Sequence, residues 1–301
     1  MNAERLHLLL VNPSSGGGRA RKLLPEVEQE LERRQIVFRT VESRSLEHGV
    51  GEARRAADAG EIPVVMSGDG LIGQVGGALA GTGAAMGILP GGRGNDLARV
   101  LAIPPDPAGA VAVLADGNER EIDVGEVNGS RFLCIASFGF DSEANRIANE
   151  ARVVRGNLVY AYAALRAMAA WHPATFTVSV NGGDPMNFTG YSVAVANSRA
   201  FGGGMYVAPH ARLDDGRFDV IVIGEIGKLH YLANLPKVFK GTHVEGDEVT
   251  ELPAAGAEIS VSADRDFAVY ADGEHLADLP AKLRVLPRAL RLIAPPAGTT
   301  A

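Results

Sequence analysis

Residues 62–89 read IPVVMSGDGLIGQVGGALAGTGAAMGIL, and this stretch indicates the fold of the first part of the chain. Ile62–Met66 and Met86–Leu89 are short apolar runs of strand length, and Leu71–Leu79 between them has the length of a helix. Strands that are separated by a helix of this kind pair in parallel, and the helices cover the sheet. Residues 62–89 therefore predict one strand–helix–strand unit of a parallel sheet.

The same alternation extends outward from this stretch. Two strand–helix pairs precede it, and a short helix follows three prolines after it. We therefore expect residues 1–124 to form a nucleotide-binding α/β domain, in which a parallel sheet carries helices on both faces. The predicted strands are Leu6–Val11 and Ile36–Val41, and the predicted helices are Leu23–Leu31, Glu47–Ala59 and Ala108–Leu114.

The pattern changes after about residue 121, where short apolar runs are joined mostly by Gly, Asp and Asn turns. This pattern is typical of antiparallel sheets. We expect residues 125–286 to form a mostly antiparallel β domain that binds the substrate, and residues 287–301 are candidates to return to the first domain. The predicted strands are Phe132–Ser137, Thr175–Val180, Tyr191–Ala196, Phe218–Ile223, Glu258–Ser262 and Phe267–Ala271, with helices over Asn157–Trp171 and Lys228–Phe239.

The composition excludes several classes of protein. The 301 residues include 36 acids and 29 bases, a net charge of −7, which argues against a nucleic-acid partner. Cys134 is the only cysteine, so neither a disulfide framework nor a cysteine zinc site can form. No apolar run reaches the roughly 18 residues of a membrane span. We expect a cytoplasmic protein whose membrane contact is transient and peripheral, with a local basic patch left open.

Three glycine-rich segments follow predicted strands: Asn12–Arg19, Gly68–Gly73 and Gly91–Asp96. Glycines let backbone N–H groups approach a phosphate, and a following helix N-terminus adds partial positive charge. The first segment lacks the Gly-Lys-Ser/Thr of a Walker A loop, and a plain turn is the alternative there. The second matches G-x-G-x-x-G but not on the first strand, so it indicates a magnesium-bound nucleotide rather than a dinucleotide. In the third, Asn95 or Asp96 can cap the next helix.

In this order and spacing, Asn-Pro-x-Ser-Gly, Gly-Asp-Gly and Pro-x-Gly-x-Gly-Asn-Asp-x-Ala-Arg resemble the diacylglycerol kinase catalytic domain family. That family includes bacterial soluble lipid kinases and the sphingosine and ceramide kinases. The resemblance implies an NAD kinase- or phosphofructokinase-like first domain. It continues through Ile122–Gly125, Ser137–Asp141, Asn197–Met205, Ala208–Gly216 and Asp272–Glu274.

The resemblance also implies roles for individual residues. It places the general base at Glu274 and puts Asp69 and Asp96 near the triphosphate and its magnesium. It implies a structural magnesium site at Asp215, with the backbone carbonyls of Arg212 and Arg217. Nucleotide contacts are implied at Asn12, Pro13, Ser14, Ser15, Gly16, Ser43, Gly68, Asp69, Gly70, Leu71, Arg93 and Asn95. On the residues alone, Asp272 competes with Glu274, because positions i and i+2 of an extended segment share a face.

The chain departs from the family pattern at three positions. The usual Gly-Gly-Asp-Gly-Thr is here Ser67-Gly68-Asp69-Gly70-Leu71, a version that resembles the sphingosine kinases, and Gln74 replaces a glutamate. Arg93 replaces the threonine of the third segment, and a guanidinium there can help to bind a triphosphate. The helix Asn157–Trp171 has two readings, packing in the core or forming a wall for acyl chains.

The resemblance implies an ATP-dependent lipid kinase that uses Mg²⁺ and phosphorylates the hydroxyl of a membrane-derived lipid alcohol, diacylglycerol, giving phosphatidic acid. Three alternatives stay open: a kinase of another lipid alcohol such as a sphingoid base, an NAD kinase-like enzyme, and a catalytically inactive protein that binds nucleotide. A homodimer is also left open, because exposed sheet edges permit one without requiring it.

Overall fold

The computed structural model describes residues 5–150, 166–168 and 170–298, and the chain groups into two compact units. Unit 1 contains the chain up to Val124, Gly202–Gly204 and the chain from Leu286; unit 2 contains Gly125–Phe201 and Met205–Val285. The division expected from the sequence placed residues 202–204 in the second domain. They group with unit 1 because the backbone N–H groups of Gly203 and Gly204 donate to the Asp96 carboxylate.

The described elements follow in chain order. The strands are β1 (His7–Val11), β2 (Phe38–Glu42), β3 (Ile62–Ser67), β4 (Ala85–Pro90), β5 (Glu119–Val127), β6 (Ser130–Phe132), β7 (Ile135–Gly139), β8 (Ala174–Val180), β9 (Met186–Ala196), β10 (Phe218–Gly224), β11 (Val249–Gly256), β12 (Glu258–Ala263), β13 (Ala268–Ala271), β14 (Glu274–Asp278) and β15 (Ala281–Ile293). The helices are α1 (Ser15–Arg33), α2 (Leu46–Asp58), α3 (Asp69–Leu79), α4 (Asp96–Val100), α5 (Pro107–Asp116), α6 (Phe140–Glu150) and α7 (Lys228–Val238), with a 3₁₀ turn at His243–Glu245.

Unit 1 is built on a parallel sheet in the order β2-β1-β3-β4-β15, in which β15 contributes Arg291–Ile293 beside Ala85–Gly87. Every residue of β1, β3 and β4 is buried. A strand is buried on both faces only when helices cover both, and here α1 packs with α5 and α2 with α3. The predicted parallel α/β fold is confirmed.

The loops that follow β1 to β4 meet at one edge of this sheet, because the four strands run in the same direction. Backbone bonds tie the strand ends together: Asn12 N donates to Met66 O at 3.1 Å, Ser43 N to Val11 O at 2.7 Å, and Gly91 N to Ser67 O at 2.9 Å. The carboxyl ends of parallel strands are where ligands bind in open α/β sheets.

Unit 2 is an antiparallel assembly in the order β14-β13-β7-β9-β8-β12-β15, with β10 between β9 and β11. Its core is apolar and includes the fully buried rings of Phe132, Phe138, Phe176 and Phe218. Phe132 and Phe218 stack with ring centroids 5.9 Å apart. The predicted antiparallel β architecture is confirmed.

Two local predictions need comment. The single strand Phe132–Ser137 is wrong: β6 and β7 are separate, because the N–H groups of Leu133 and Cys134 donate to Asp272 instead of to a neighbouring strand. Of the predicted helix Asn157–Trp171, residues 157–165 and 169 lie outside the described residues. Met168 and Trp171 are buried in a second apolar cluster, as core packing predicts for that end. Within the described ranges, no helix is long and apolar enough to cross a membrane.

Candidate functional site

The three glycine-rich loops of unit 1 touch one another through their backbones. A Cβ atom on Gly16 would lie 2.8 Å from the carbonyl oxygen of Gly91, and one on Gly92 would collide with the Cα of Gly68. Side chains at these positions would force the loops apart. Glycine therefore allows the close approach that brings three separate backbone segments to one surface.

The first loop is shaped by Asn12, whose Oδ1 accepts hydrogen bonds from the Ser14 N–H at 3.2 Å and the Ser14 hydroxyl at 2.8 Å. Pro13 lies between them, and Ser15 N donates to the Asn12 carbonyl at 3.1 Å. Residues 16–18 then have φ of +62°, +71° and +91°, which only glycine adopts readily in succession. The regular turns of α1 follow these glycines, so the loop lies at the positive end of a helix. The N–H groups of Ser14, Ser15, Gly17 and Gly18 donate within the loop and fix its shape.

Arg93 lies over this first loop. Its Nη2 atom would be 3.0 Å from a Cβ atom on Gly17, and the side chain is exposed. Among the residues that the structure describes, no acid forms an ion pair with Arg93. A positive charge without a protein partner beside a backbone N–H surface is an arrangement that binds an anion.

Asp69 and Asp96 brace the loops through their carboxylates. Asp69 accepts from Asn95 N at 2.8 Å and from Asp96 N at 2.7 Å. Asp96 in turn accepts from Gly203 N at 2.8 Å and from Gly204 N at 2.7 Å. The prediction that Asn95 or Asp96 caps α4 is wrong, because Asp69 supplies the acceptor there and neither side chain does. Both carboxylates position backbone, and each oxygen keeps a second lone pair.

Asn95 and Leu71 also hold the loops in shape with their side chains. The Asn95 amide closes the third loop on itself, accepting from Gly92 N at 2.8 Å and donating to Gly92 O at 3.1 Å. Leu71 is buried, with its side chain against Gly49, whereas Gly70 before it is partly exposed. Ser43 follows β2 and is partly exposed beside the end of β1.

Asp69 lies in an environment that disfavours its charged form. Burial, and after it the neighbouring Asp96 carboxylate, raise the pKa of Asp69 to about 6, against the opposing effect of the backbone N–H bonds. A nearby cation would relieve both unfavourable contributions. Two carboxylates with spare lone pairs are hard oxygen donors, so the donor chemistry fits Mg²⁺ that accompanies a triphosphate.

A second group of acids lies in unit 2, at the hairpin between β13 and β14. Asp272 and Gly273 have φ of +51° and +86°, as a two-residue hairpin turn requires. The Asp272 carboxylate accepts from Leu133 N at 2.7 Å and from Cys134 N at 2.9 Å, so it anchors the gap between β6 and β7. Glu274 next to this turn is partly buried, and burial raises the pKa of its carboxyl.

The Glu274 carboxylate differs from Asp272 in having no hydrogen bond or ion pair with any residue in the described part of the chain. An unpaired, partly desolvated carboxylate with a raised pKa has the properties of a general base. The two candidates that the sequence left in competition therefore differ in their contacts: backbone donors hold Asp272, and no described residue holds the Glu274 carboxylate.

The turn at Asp215 shows only part of the expected metal site. Asp215 is exposed and its Oδ1 accepts from Arg217 N at 3.1 Å, while the Arg212 side chain donates to Asp214. Within the described residues no three His, Cys, Asp or Glu side chains cluster to hold a metal, so a cation here would depend on backbone carbonyls and water. Burial raises the pKa of nearby Asp219, and the charges of Asp215 and Glu251 raise it in the same direction. One free carboxylate oxygen in this negative environment fits a hard cation.

Unit 2 also contains a cavity of about 740 Å³, which the sequence did not reveal. Its apolar walls are Ile147, Trp171, Phe267 and Leu279, and its polar lining includes the ion pair between Glu143 and Arg146. The lining residues come from α6, from residues 166–172 and from the strands around β13 and β14, so no local motif could have identified it.

Comparison with protein families gives two matches that together span most of the chain. The model of the diacylglycerol kinase catalytic domain matches residues 7–127. The model of the YegS C-terminal NAD kinase beta sandwich-like domain matches residues 134–294. The boundary between the matches lies where the parallel pattern ends.

Individual proteins resemble the chain over nearly its full length. It is 32% identical to a diacylglycerol kinase of Mycobacterium tuberculosis, over 96% of this chain and 95% of the relative. It is 34% identical to a Pseudomonas aeruginosa protein described as "Probable lipid kinase YegS-like", over 81% of this chain and 82% of the relative. A diacylglycerol kinase structure from Bacillus anthracis superposes with a TM-score of 0.77 at 20% identity, over 98% of both chains. An NAD kinase structure from Archaeoglobus fulgidus in complex with ATP superposes with a TM-score of 0.53 at 12% identity, over 95% of this chain and 93% of that chain. The two solved structures therefore share the fold of this chain.

Proposed function

The chain belongs to the diacylglycerol kinase catalytic domain family, and we propose on this basis that it transfers the γ-phosphate of ATP to the hydroxyl of diacylglycerol, giving phosphatidic acid. The observation that carries the proposal is the contact of three glycine-rich loops beneath the Arg93 guanidinium. Phosphoryl transfer depends mainly on positioning and on stabilising charge, and this surface supplies both through backbone N–H groups and one unpaired cation.

Unit 1 holds the donor in this proposal. The loops at Asn12–Gly18 and Gly68–Leu71 bind phosphate oxygens through the backbone, and Arg93 adds its charge. Asp69 and Asp96 would hold Mg²⁺ or its water through their spare lone pairs, and the ion would supply positive charge to the phosphates of the donor. Because both acids also brace the loops, losing either would disturb phosphate binding as well as the metal.

Unit 2 supplies the base. The Glu274 carboxylate accepts the proton of the lipid hydroxyl as the hydroxyl oxygen bonds to the γ-phosphorus. The bond from that phosphorus to the β–γ bridging oxygen breaks, and ADP leaves. Burial suits Glu274 to this role, because a raised pKa makes the carboxylate a stronger base than a fully solvated one.

The cavity in unit 2 favours a lipid as the acceptor. Asp278 and Leu279, which line the cavity, follow Glu274 along β14. At about 3.3 Å per residue, four residues of strand separate the base from the cavity by about 13 Å. A lipid with its hydroxyl at Glu274 would extend its apolar part towards Trp171 and Phe267. The lining also carries Arg146, Arg166 and Arg265, so an acceptor assay is needed to separate a lipid from the charged dinucleotide of an NAD kinase-like enzyme.

A panel of acceptors with labelled ATP and Mg²⁺ tests the proposal. Diacylglycerol, ceramide and sphingosine are presented in mixed micelles, and NAD is presented in solution. We expect the label in a lipid product from diacylglycerol, and its loss in the matched Glu274→Gln variant. Labelled NAD with inert lipids would establish the NAD kinase-like alternative, and preferential labelling of sphingosine would establish the sphingoid-base alternative. Binding of Mg·ATP without any lipid-dependent turnover would identify an inactive nucleotide-binding protein.

A further inference from the structure

Arg99 is a second arginine of unit 1 whose charge has no protein partner. It is exposed in the last turn of α4, and its Nη2 atom donates to the Gly94 carbonyl oxygen at 3.4 Å, a long and weak hydrogen bond. In the described part of the chain, no acid lies within ion-pair distance of the Arg99 side chain. Most of its five N–H groups therefore have no acceptor in the protein.

Gly94, the residue that Arg99 contacts, lies where the two carboxylates of unit 1 meet. A Cβ atom on Gly94 would be 2.8 Å from Asp69 Oδ2 and 3.3 Å from Asp96 Oδ2. The Arg99 side chain borders the same place from the side of Gly204, where its Nε atom would be 3.3 Å from a Cβ atom. Arg99 thus lies beside the two acids whose spare lone pairs fit Mg²⁺.

Arg93 and Arg99 border different parts of the phosphate surface. Arg93 lies over Gly17 of the first loop, whereas Arg99 lies beside Asp69 and Asp96. In enzymes that transfer phosphoryl groups, the β and γ phosphates share the metal ion, so the acids that hold the ion mark the end of the triphosphate that is transferred. The position of Arg99 therefore corresponds to the γ-phosphate, and that of Arg93 to the phosphates that stay on ADP.

The alternative role for Arg99 is structural. A basic side chain in the last turn of a helix interacts favourably with the helix dipole, and the bond to Gly94 ties two parts of the loop together. The loop already has shorter ties, since the Asn95 amide closes it on Gly92 and the Asp69 carboxylate accepts from two of its N–H groups. One bond of 3.4 Å adds little to these, so the main contribution of Arg99 is its charge.

We propose that Arg99 contacts the phosphoryl group during transfer and stabilises the negative charge on its equatorial oxygens. The hydroxyl oxygen of the acceptor bonds to the γ-phosphorus, and the bond from that phosphorus to the β–γ bridging oxygen breaks. Arg99 donates hydrogen bonds and gives up no proton, because a guanidinium stays protonated. The charge of this transition state is spread over three oxygens, and the planar guanidinium offers them paired donors. This role rests on the proposed phosphoryl transfer, but not on which alcohol accepts the group.

Kinetics and binding of the Arg99→Met variant test this contact. Methionine keeps part of the apolar stem and removes the charge and the donors. Labelled transfer to diacylglycerol gives kcat and KM for ATP, hydrolysis of ATP without lipid gives the rate of transfer to water, and calorimetry gives Kd for Mg·ATP. Because the contact strengthens in the transition state, both rates should fall about 10²–10³-fold, with KM and Kd changed by less than about threefold.

Two further variants separate the guanidinium from a general structural effect. Arg99→Lys keeps the charge but lacks the planar fork, so its kcat should lie above that of Arg99→Met and at least about fivefold below wild type. The matched control is Arg54→Met, which removes an exposed arginine of α2 that has no ion pair in the described chain. This control should leave kcat, KM and Kd unchanged.

The role of Arg99 is overturned if Arg99→Met keeps kcat within about threefold of wild type, or if it raises KM for ATP and leaves kcat unchanged, as expected for a contact with the other phosphates. An equal loss in Arg54→Met also overturns it. If Arg99→Met does not fold, a wild-type kcat in Arg99→Lys is the result that overturns it.

Hydrolysis without lipid separates this role from the proposed function. If the wild type hydrolyses ATP and phosphorylates no diacylglycerol, the proposed acceptor is wrong. The role of Arg99 then stands if Arg99→Met lowers hydrolysis with Kd for Mg·ATP unchanged. If the wild type and Arg99→Met phosphorylate diacylglycerol equally well, the proposed function stands and the role of Arg99 fails.

Discussion

Replacing Asp272 and Glu274 each by its amide should separate stability from catalysis at neighbouring positions. An aspartate offers two acceptor oxygens to Leu133 N and Cys134 N, whereas an asparagine offers one oxygen and turns an NH₂ group towards the other donor. A hydrogen bond to a charged group contributes about 1.5–3 kcal/mol. For a unit of this size, 1 kcal/mol shifts Tm by about 2–4 °C, so Asp272→Asn should lower the Tm of unit 2 by about 3–12 °C.

Glu274→Gln should leave stability unchanged and lower the rate of catalysis. The carboxylate has no bonded partner in the described chain, and its burial disfavours the charged form, so a neutral isostere removes no stabilising contact. The Tm should therefore stay within about 1 °C of wild type. Loss of the proton acceptor should lower kcat by about 10²–10⁴-fold, with KM for ATP unchanged.

Thermal unfolding followed by circular dichroism, together with lipid phosphorylation below the lower Tm, measures both effects on the same preparations. The reasoning is refuted if Asp272→Asn keeps the wild-type Tm and loses activity, which would make Asp272 the base. It is equally refuted if Glu274→Gln retains more than about a tenth of the wild-type kcat, a smaller loss than a general base implies.

Four further predictions concern the other groups. Arg93→Thr should raise KM for ATP with a smaller effect on kcat, measured by initial rates over a range of ATP; an unchanged KM would remove Arg93 from the phosphate surface. Because Glu274 must be unprotonated and burial raises its pKa, kcat should fall with decreasing pH through a midpoint above the ordinary value of about 4.3; a midpoint at or below it contradicts this. Asp69 has a folded pKa of about 6, above its unfolded value of about 3.9, so its contribution to stability is full below pH 4 and is lost as the pH rises through 6. That loss should be absent in Asp69→Asn, as urea midpoints at several pH values would show, and an identical pH dependence in both proteins would argue against it. Asp215→Ala should abolish any rise in Tm that Mg²⁺ gives the wild type, and equal shifts in both proteins would place the ion elsewhere.

The sequence predicted the elements whose signals are local. Apolar runs of strand length and the helical spacing between them located β1 to β4, α2 and α3 closely, whereas α1 begins at Ser15, well before the predicted Leu23. Elements without such signals were missed, among them β5, β11, β15 and α6. β15 alternates between buried and exposed positions over most of its length, and its pairing with β4 joins segments about 200 residues apart, which no local pattern records.

The sequence by itself determined the order of the strands and loops, because apolar periodicity and glycine placement act over a few residues. It could also name Asp69, Asp96, Asp272 and Glu274 as acids worth attention. Only the tertiary structure decided what each does, since hydrogen-bond partners are chosen by proximity in space: Asp272 meets Leu133 from 139 residues away, and Asp96 meets Gly203 from 107. The carboxylates that accept hydrogen bonds from backbone N–H groups, those of Asp69, Asp96 and Asp272, hold loops in place. Glu274 is partly buried and has no partner in the described part of the chain, and it is the acid that we propose takes the proton.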